Sequence, residues 1–285
     1  MNLKEIKEVI NTYQLSIKKH YGQNFLIDQN VVGKICELSN ITKDINVIEI
    51  GPGIGSLTDE IVKRCNKLMC YEIDSQLINH LNKRFNSDNV LIIEQDFLKS
   101  DLKKDIDAFF DDKDIYVISN LPYYITSSII LKLIDNRYLV KQLTLMMQKE
   151  VADRICSKPS TKDYNSLSVL VQYYSNPKQI IQVPPSCFYP SPDVNSTVVK
   201  FEFYETKPFT AINEDFFKSF IILIFHQKRK TLVNNLKQDK RFTIDIIKTI
   251  FNKNNLVENV RSEQLTIEQI VNLCNDFYEV ITNAN

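Results

Sequence analysis

Residues 49–55 read Glu-Ile-Gly-Pro-Gly-Ile-Gly and hold three of the five glycines in the chain. The run follows an apolar stretch at 45–48 that predicts a buried strand, and it precedes residues 56–62, which predict a helix with Ser56 as its N-cap. A strand, a glycine turn and a helix make a nucleotide-binding unit, because glycine lets the backbone approach a ligand that a Cβ atom would block. The alternative is a tight turn that binds nothing.

The spacing of the glycines bears on which ligand would bind. A dinucleotide fingerprint needs Gly-x-Gly-x-x-Gly, but counting from Gly51 the last position falls on Ser56. The glycines instead run Gly-x-Gly-x-Gly behind Glu49, and a negative side chain beside the turn suits a ligand with a cationic end better than a pyrophosphate. S-adenosylmethionine carries both a sulfonium and an ammonium group, so the turn favours this ligand.

Two carboxylates come at the ends of the next two predicted strands. Glu72 ends the second strand, where an acidic residue in nucleotide-binding α/β sheets accepts hydrogen bonds from ribose hydroxyls. Asp96 follows the third strand and could accept from an adenine amino group, with Phe97 beside the ring. The Asp96 signal is weak by itself, since Asp is common after strands, and an exposed strand-end carboxylate is the alternative for Glu72.

The strongest catalytic signal is a turn after the fourth predicted strand, formed by Asn120, Leu121, Pro122 and Tyr123. An exocyclic aromatic amine is hard to methylate because its lone pair is delocalised into the ring. An Asn side-chain oxygen and a backbone carbonyl can accept from that amine and direct its lone pair at the methyl group, while the proline stiffens the turn. Tyr123 can stack on an extruded base. The alternative is an ordinary Asn/Pro turn before core aromatics.

These residues lie among alternating strands and helices that run from about residue 19 to residue 204. The predicted strands are residues 45–50, 67–72, 89–94, 115–119, 143–148, 179–183 and 196–204. The alternation predicts a doubly wound parallel sheet with helices on both faces and ligands at the carboxyl ends of the strands. After a linker at 206–213 only helical periodicity remains, including a last helix with a Thr266–Gln269 capping box. A small all-helical C-terminal domain is therefore expected.

Composition narrows the function classes. The formal net charge is zero, so any surface for nucleic acid must be local. The six cysteines are scattered without a Cys-x-x-Cys pair, which favours reduced thiols in a cytosolic setting over a disulfide framework or a zinc site. The three histidines are far apart, so no metal is expected. No signal peptide or membrane span is predicted, and the most apolar run, residues 216–225, indicates a core helix.

One segment has a local excess of positive charge. Residues 226–261 contain nine Lys or Arg and three Asp or Glu. Within it Lys228, Arg229 and Lys230 are consecutive, and on a helix they would spread around the axis. Contact with RNA phosphates is one interpretation, and a solvated helix face is the alternative, since charge runs are usually solvated.

Ordered segments across most of residues 19–273 resemble the ribosomal RNA adenine dimethyltransferases of the small ribosomal subunit. The matching segments are residues 20–26, 49–55, 120–123, 148–154, 183–196, 227–232 and 261–269. The resemblance implies a class I methyltransferase fold, which is Rossmann-like, with a helical C-terminal domain. It also implies S-adenosylmethionine as donor and, as substrate, two adjacent adenines in a hairpin near the 3′ end of small-subunit rRNA in immature 30S particles.

The resemblance also implies roles for single residues. The cofactor-binding residues would be Asn24, Leu26, Gly51, Gly53, Glu72, Asp96 and Asn120. Asn24 and Leu26 would border the methionine part of the donor, and Asn120 would link the donor and the target. Phe188 would face the target base opposite Tyr123, which completes a catalytic set with residues 120–123.

Three segments are expected from this interpretation: an N-terminal extension at 1–18, a methyltransferase domain at 19–205 and a helical RNA-binding domain at 206–285. A cytoplasmic monomer is expected. The nearest rival is the related large-subunit rRNA methylase, and a non-catalytic RNA-binding or transcription factor is a rival of another class. The complete 22–26 motif favours the small-subunit enzyme over the first, and the intact Asn120 and Glu72 argue against the second.

Overall fold

The strands of the protein form one large sheet and one short ladder in the computed structural model, which describes residues 3–13 and 24–283. Within these residues the strands are β1 Phe25–Leu26, β2 Ile45–Ile50, β3 Leu68–Glu72, β4 Val90–Glu94, β5 Asp114–Asn120, β6 Gln142–Gln148, β7 Ser175–Val183, β8 Phe188–Tyr189 and β9 Ser196–Phe203. All seven strands predicted from the sequence are present, and β7 begins four residues earlier than predicted.

Helices alternate with the strands as far as β6 and dominate the C-terminal part. They are α1 Leu3–Thr12, α2 Gln29–Leu38, α3 Thr58–Arg64, α4 Ser75–Arg84, α5 Leu102–Phe109, α6 Thr126–Asp135, α7 Lys149–Ile155, α8 Ser166–Tyr174, α9 Glu214–Ile224, α10 Leu232–Leu236, α11 Ile244–Lys253 and α12 Ile267–Asn283. In the described part of the chain, no helix is both long and apolar enough to span a membrane.

The large sheet has the strand order β4-β3-β2-β5-β6-β9-β7. Strands β2 to β6 pair in parallel, as predicted, but β9 is antiparallel to β6, with Ser196 opposite Gln148. The prediction of a purely parallel sheet is therefore wrong at this edge. The chain re-enters the sheet at the carboxyl end of β6, whereas a parallel return would need a crossover to the other end.

The order of the strands creates a crevice in the middle of the sheet. After β2 the chain adds β3 and β4 on one side, and it then crosses to place β5 and β6 on the other. The carboxyl ends of β2 and β5 therefore diverge at a topological switch point, where open α/β sheets bind ligands. β2 is buried at all six positions, which fixes this part of the sheet in the core.

The chain folds into two compact units, residues 1–152 with 177–203 and residues 153–176 with 204–285. Apart from the first two residues of β7, the sheet belongs to the first unit. The predicted division at 205/206 differs from this, because residues 153–176, which include α8, group with the C-terminal helices. Because residues 153–176 lie between two strands of the sheet in the chain, the sequence did not indicate that they group with the C-terminal helices.

The helices of the second unit pack through aromatic rings. α9 buries Phe217, Phe220, Ile221 and Ile224, which confirms the core helix predicted at 216–225. The Phe220 ring lies 5.7 Å from that of Phe277 on α12. The predicted capping box is also confirmed, since Thr266 N–H donates to Gln269 Oε1 at 2.9 Å and Gln269 N–H donates to Thr266 Oγ1 at 3.2 Å.

The start of α3 differs from prediction. Leu57 occupies the cap position and makes no side-chain cap hydrogen bond. The N–H of Asp59, which a Ser56 cap would satisfy, donates to the Gly55 carbonyl at 3.0 Å. Ser56 is therefore not an N-cap, because the glycine turn already supplies the backbone acceptor that a cap would provide.

The N-terminal extension is structured over residues 3–12. α1 buries Ile6, which joins a cluster with Phe25, Ile54 and Leu77 of the sheet unit. Part of the predicted family motif, residues 20–23, lies outside the described residues.

Candidate active site

A cavity of about 330 Å³ opens at the carboxyl ends of the central strands. Its walls come from five segments of the first unit, at residues 24–26, 49–57, 71–73, 95–98 and 120–125, together with Leu77 of α4. These contain every residue predicted to bind the donor, and four of the five predicted catalytic residues. The fold therefore brings the glycine turn, the two acidic strand ends and the Asn120 turn to one place.

The glycine turn needs glycine at two positions for different reasons. Gly53 has φ +60°, and a Cβ atom there would lie 3.1 Å from the Phe25 ring. Gly55 has φ +87°, and a Cβ atom would lie 2.6 Å from the Phe85 ring, nearer than real Cβ atoms approach. Left-handed backbone conformations also disfavour other residues. Gly53 therefore permits a close approach beside the cavity, whereas Gly55 is required by packing.

Glu72 at the end of β3 is tied to the glycine turn. Its Oε2 accepts from the backbone N–H of Gly53 at 3.1 Å, and its Oε1 accepts from that of Asp74 at 2.9 Å. Burial raises the pKa of this carboxyl to about 7, and the two backbone hydrogen bonds oppose that rise. The side chain is thus held in one position beside the cavity, where it can accept further hydrogen bonds.

Asp96 and Phe97 form another part of the wall. The Asp96 carboxylate accepts from the Leu98 N–H at 2.9 Å, and the Phe97 ring meets Tyr71 edge-on at 5.3 Å. Lys132 of α6 holds this turn from outside, because its Nζ donates to the Phe97 and Ser100 carbonyls, both at 2.7 Å. Burial lowers the pKa of Lys132. The turn is therefore fixed by a cation that sequence reasoning did not identify.

Glu49 differs from the expectation of an open negative charge. Its carboxyl is 1% exposed, and its Oε2 accepts from Thr58 Oγ1 at 2.7 Å. Burial raises its pKa to about 8, which favours the neutral carboxyl in the ligand-free protein. A cationic ligand in the cavity would favour ionisation.

Asn120 is the last residue of β5, and a backbone carbonyl orients its side-chain amide. Its Nδ2 donates to the Asn24 carbonyl at 3.2 Å, which leaves the amide oxygen as the acceptor. The next residue is fixed by its backbone, since Leu121 N–H donates to the Met146 carbonyl at 3.0 Å. The Pro122 carbonyl accepts from Thr126 Oγ1 at 3.0 Å, which stabilises the turn into α6. The turn thus presents an oriented amide acceptor at the cavity wall.

Tyr123 is positioned through its hydroxyl group. It lies 2.6 Å from Ser196 Oγ at the start of β9, and Ser196 is fully buried. Burial raises the pKa of Tyr123, so the phenol stays neutral at physiological pH. Tyr124 follows with 55% of its surface exposed and also lines the cavity. Two aromatic rings therefore border the opening next to Asn120.

The sequence model of the ribosomal RNA adenine dimethylase family matches residues 14–276. The chain belongs to this family. It is 43% identical over 275 residues to the ribosomal RNA small subunit methyltransferase A of Alkaliphilus oremlandii, with 96% of each chain covered. It is likewise 43% identical over 278 residues to the same-named protein of Bacillus pumilus, with 94% of each covered.

Solved structures agree with this assignment to the adenine dimethylase family. A dimethyladenosine transferase from Plasmodium falciparum matches with a TM-score of 0.74 and 27% identity, covering 90% of this chain and 98% of that one. The 23S rRNA methyltransferase ErmE matches with a TM-score of 0.67 and 21% identity, covering 90% of this chain and 100% of that one. The second likeness shows the fold alone. The predicted class I methyltransferase fold is therefore confirmed.

Phe188 is the predicted catalytic residue that the cavity does not include. It is 3% exposed and pairs with Leu26 in the β1–β8 ladder, where its ring joins the hydrophobic core with Val32 and Ile35. The neighbouring ladder pair is Phe25 with Tyr189. This placement gives no support to a Phe188 ring that faces a base, and the role stays a prediction from the adenine dimethylase family.

Lys228, Arg229 and Lys230 lie on a turn between α9 and α10 and not on a helix. All three are exposed. Lys228 Nζ donates to the Lys162 carbonyl, and buried Asn235 fixes the turn by accepting from Gln227 N–H at 3.1 Å. The turn lies between the end of α9 at Ile224 and the start of α10 at Leu232.

Two supporting residues received no role in the sequence analysis. Lys132, and Ser196 at the end of the matching segment 183–196, each make hydrogen bonds to a site segment that is distant in sequence. In the described chain, no cluster of three or more His, Cys, Asp or Glu side chains could hold a metal ion.

Proposed function

We propose that this member of the adenine dimethylase family transfers methyl groups from S-adenosylmethionine to the 6-amino groups of two adjacent adenines. The substrate would be the 3′-terminal hairpin of small-subunit rRNA in immature 30S particles. The observation that carries the proposal is the oriented amide oxygen of Asn120 at the wall of a cavity whose other segments carry Glu72 and Asp96.

The cavity walls suit the parts of this donor. Glu72 would accept from the ribose hydroxyls, and Asp96 would accept from the adenine amino group, with Phe97 beneath it. Asn24, Leu26, Gly51 and Gly53 would surround the methionine part. Bound S-adenosylmethionine supplies an electrophilic methyl group on a sulfonium.

The Asn120 turn would prepare the target amine. The Asn120 amide oxygen and the Leu121 carbonyl would both accept from the 6-amino group, which moves its lone pair out of conjugation and toward the cavity. Tyr123 would stack on the extruded base. No general base is needed, because the product ammonium is acidic enough to lose its proton to water.

The exposed turn of the second unit would hold RNA. Lys228, Arg229 and Lys230 would bind rRNA phosphates, and residues 206–285 would thereby act as an RNA-binding domain. The two relatives that this chain matches over most of their length are named as small-subunit methyltransferases, which favours the small-subunit substrate. The likeness to the 23S enzyme supports only the fold. A cytoplasmic monomer is part of the proposal.

The test incubates purified protein and methyl-labelled S-adenosylmethionine with unmethylated 30S or 50S particles. Digestion of the rRNA and mass spectrometry of the nucleosides should give N6,N6-dimethyladenosine from 30S particles only. Labelled product from 50S particles would favour a large-subunit methylase. RNA binding without any label would favour a non-catalytic factor.

A further inference from the structure

Lys132 on α6 is a half-buried cation to which the proposed function assigns no role. Its Nζ donates to the Phe97 carbonyl and to the Ser100 carbonyl, both at 2.7 Å, and to Ser100 Oγ at 3.1 Å. It also lies 5.1 Å from the centre of the Phe97 ring, within the range of a cation–π contact. An ammonium group has three N–H donors, and these three acceptors use all of them. The side chain of Lys132 is therefore held in one place, whereas most lysine side chains lie in solvent.

The turn at 96–100 that Lys132 contacts forms part of the cavity wall. Asp96, Phe97 and Leu98 line the cavity, and Lys132 does not belong to the described residues that line it. Within the turn, Leu98 N–H donates to Asp96 Oδ1 at 2.9 Å, a local bond that fixes the shape of the turn. The bonds from Lys132 instead fix where the turn lies relative to α6.

α6 connects this turn to the proposed site of methyl transfer. The helix begins at Thr126, directly after the Asn120 turn, and Thr126 Oγ1 donates to the Pro122 carbonyl at 3.0 Å. It buries four apolar side chains, so it is anchored in the core. Because Lys132 lies less than two helical turns after Thr126, it sets the position of the 96–100 turn relative to the Asn120 turn.

In the proposed site the 96–100 turn meets the adenine of the donor. A carboxylate only accepts hydrogen bonds, so Asp96 suits the 6-amino group of adenine and disfavours a 6-oxo group, which is also an acceptor. A site discriminates in this way only if its polar group is held in position by the residues around it. Lys132 supplies that support from outside the cavity.

We propose that Lys132 is a positioning residue that holds Asp96 and Phe97 where the adenine of S-adenosylmethionine binds, and thereby lets the site select adenine over a 6-oxo purine. The inference rests on the proposed donor site and adds a residue that acts on base selection without touching the donor. Loss of the ammonium group releases the turn, which weakens the contact with a 6-amino group and leaves a 6-oxo base little changed.

The test measures by calorimetry how the wild type and Lys132→Met bind two ligands. They are S-adenosylhomocysteine and S-inosylhomocysteine, which carries a 6-oxo group in place of the 6-amino group. The wild type should prefer the first at least about tenfold, the scale of a hydrogen bond to a charged group. Lys132→Met should bind the first about tenfold more weakly and the second with little change, so most of the preference should be lost.

A matched control is Lys67→Met. Lys67 Nζ donates to the Phe109 carbonyl at 2.9 Å and lies 5.4 Å from the centre of the Phe109 ring, so it makes the same two kinds of contact. Lys67 directly precedes β3, at the end of the sheet away from the cavity, and is not among the cavity residues that the structure describes. Both variants should lower the unfolding temperature, but Lys67→Met should keep the wild-type preference between the ligands.

Four results would overturn the inference. An unchanged preference in folded Lys132→Met, or equal weakening for both ligands, would make Lys132 a structural residue only. A similar loss of preference in Lys67→Met would mean that any loss of stability has this effect. If Lys132→Met does not fold, Lys132→Gln, which keeps N–H donors on a shorter uncharged chain, should lose part of the preference, and a full preference in that variant would contradict the role.

The wild type itself separates this inference from the proposed function. Binding of S-adenosylhomocysteine without any preference over S-inosylhomocysteine would reject the contact of Asp96 with the adenine, and the role of Lys132 with it, while the donor site would stand. Binding of neither ligand would reject the proposed donor site.

Discussion

The cavity at the carboxyl ends of the strands and the basic turn at 226–230 differ in how their residues are held. In the cavity Glu72 is fixed by two backbone N–H groups and Asn120 by the Asn24 carbonyl. In the turn the side chains of Arg229 and Lys230 are exposed, and the described residues give neither an ion-pair partner. The motifs with defined spacing therefore predict side chains that are held in one orientation. The excess of positive charge predicts only that the segment is exposed to solvent.

The largest effect is expected from the oriented acceptor. Asn120→Ala should reduce methyl transfer to 30S particles at least about a hundredfold at saturating donor, because the amide acts mainly in the transition state. RNA binding should stay nearly unchanged. Single-turnover transfer and filter binding measure the two quantities.

The control is Asn46→Ala, which removes a buried amide at the opposite end of the sheet, where Asn46 donates to Asp111 at 2.9 Å. It should lower stability without slowing transfer. A folded Asn120→Ala variant with near-normal turnover would contradict the role of the turn.

The next effect concerns donor affinity. Glu72→Ala should weaken S-adenosylmethionine binding by about 1.5–3 kcal/mol, the range for hydrogen bonds to a charged group. Glu94 lies opposite Glu72 in the β3–β4 register and is exposed, so Glu94→Ala is a matched control that should bind normally. Calorimetry compares the two, and unchanged affinity in folded Glu72→Ala would remove Glu72 from the site.

Tyr123 should show a graded effect. Tyr123→Ala should lose about 1–3 kcal/mol of base stacking, measured as reduced transfer. Tyr123→Phe should be much milder, because it removes only the hydrogen bond to Ser196. Ser196→Ala removes the same bond, so it should match Tyr123→Phe, and the double variant should be no worse than either. Additive losses would mean that the two hydroxyls act separately.

The basic turn should affect RNA affinity alone. Replacing Lys228, Arg229 and Lys230 with Gln should weaken 30S binding and flatten the dependence of log affinity on log salt, by roughly 0.7 to 0.9 for each phosphate that is no longer neutralised. Donor affinity should not change. Since Lys228 donates to the Lys162 carbonyl, replacing it alone should change the salt slope less than replacing Arg229 or Lys230.

A matched triple variant replaces three cations with Gln, each of which already forms an ion pair with an acidic residue. The pairs are Arg241–Asp239, Lys248–Glu258 and Lys253–Asp276. It should change the salt slope less. An unchanged slope in the turn variant, together with lower thermal stability, would make the turn structural.

The smallest effect is expected on the stability of the ligand-free protein, which should depend on pH through Glu49. Burial raises its pKa to about 8, above the ordinary value of 4.5. The unfolded chain loses this proton near pH 4.5 while the folded protein keeps it, so the contribution to stability is full below pH 4.5 and is lost as pH rises toward 8. Thermal unfolding of the ligand-free protein should show this fall, and Glu49→Gln should flatten it. A pH profile unaffected by Glu49→Gln would contradict the raised pKa.

Local patterns predicted the elements and the residues at their ends. The alternation of strands and helices predicts Glu72, Asp96 and Asn120 at one edge of the sheet, and the structure brings them to one cavity. The failures have long-range causes. Ser56 lost its cap role to the Gly55 carbonyl, and the grouping of residues 153–176 with the C-terminal helices depends on packing that no periodicity encodes.

The most direct test of the central claim maps methyl groups on rRNA at single-nucleotide resolution. Unmethylated 30S particles are incubated with the wild-type protein and S-adenosylmethionine, and modified positions are read by primer extension. We expect two adjacent dimethylated adenines in the 3′-terminal hairpin of the small-subunit rRNA. Methylation at other positions, or none from a protein that binds S-adenosylmethionine and 30S particles, would contradict the proposed function.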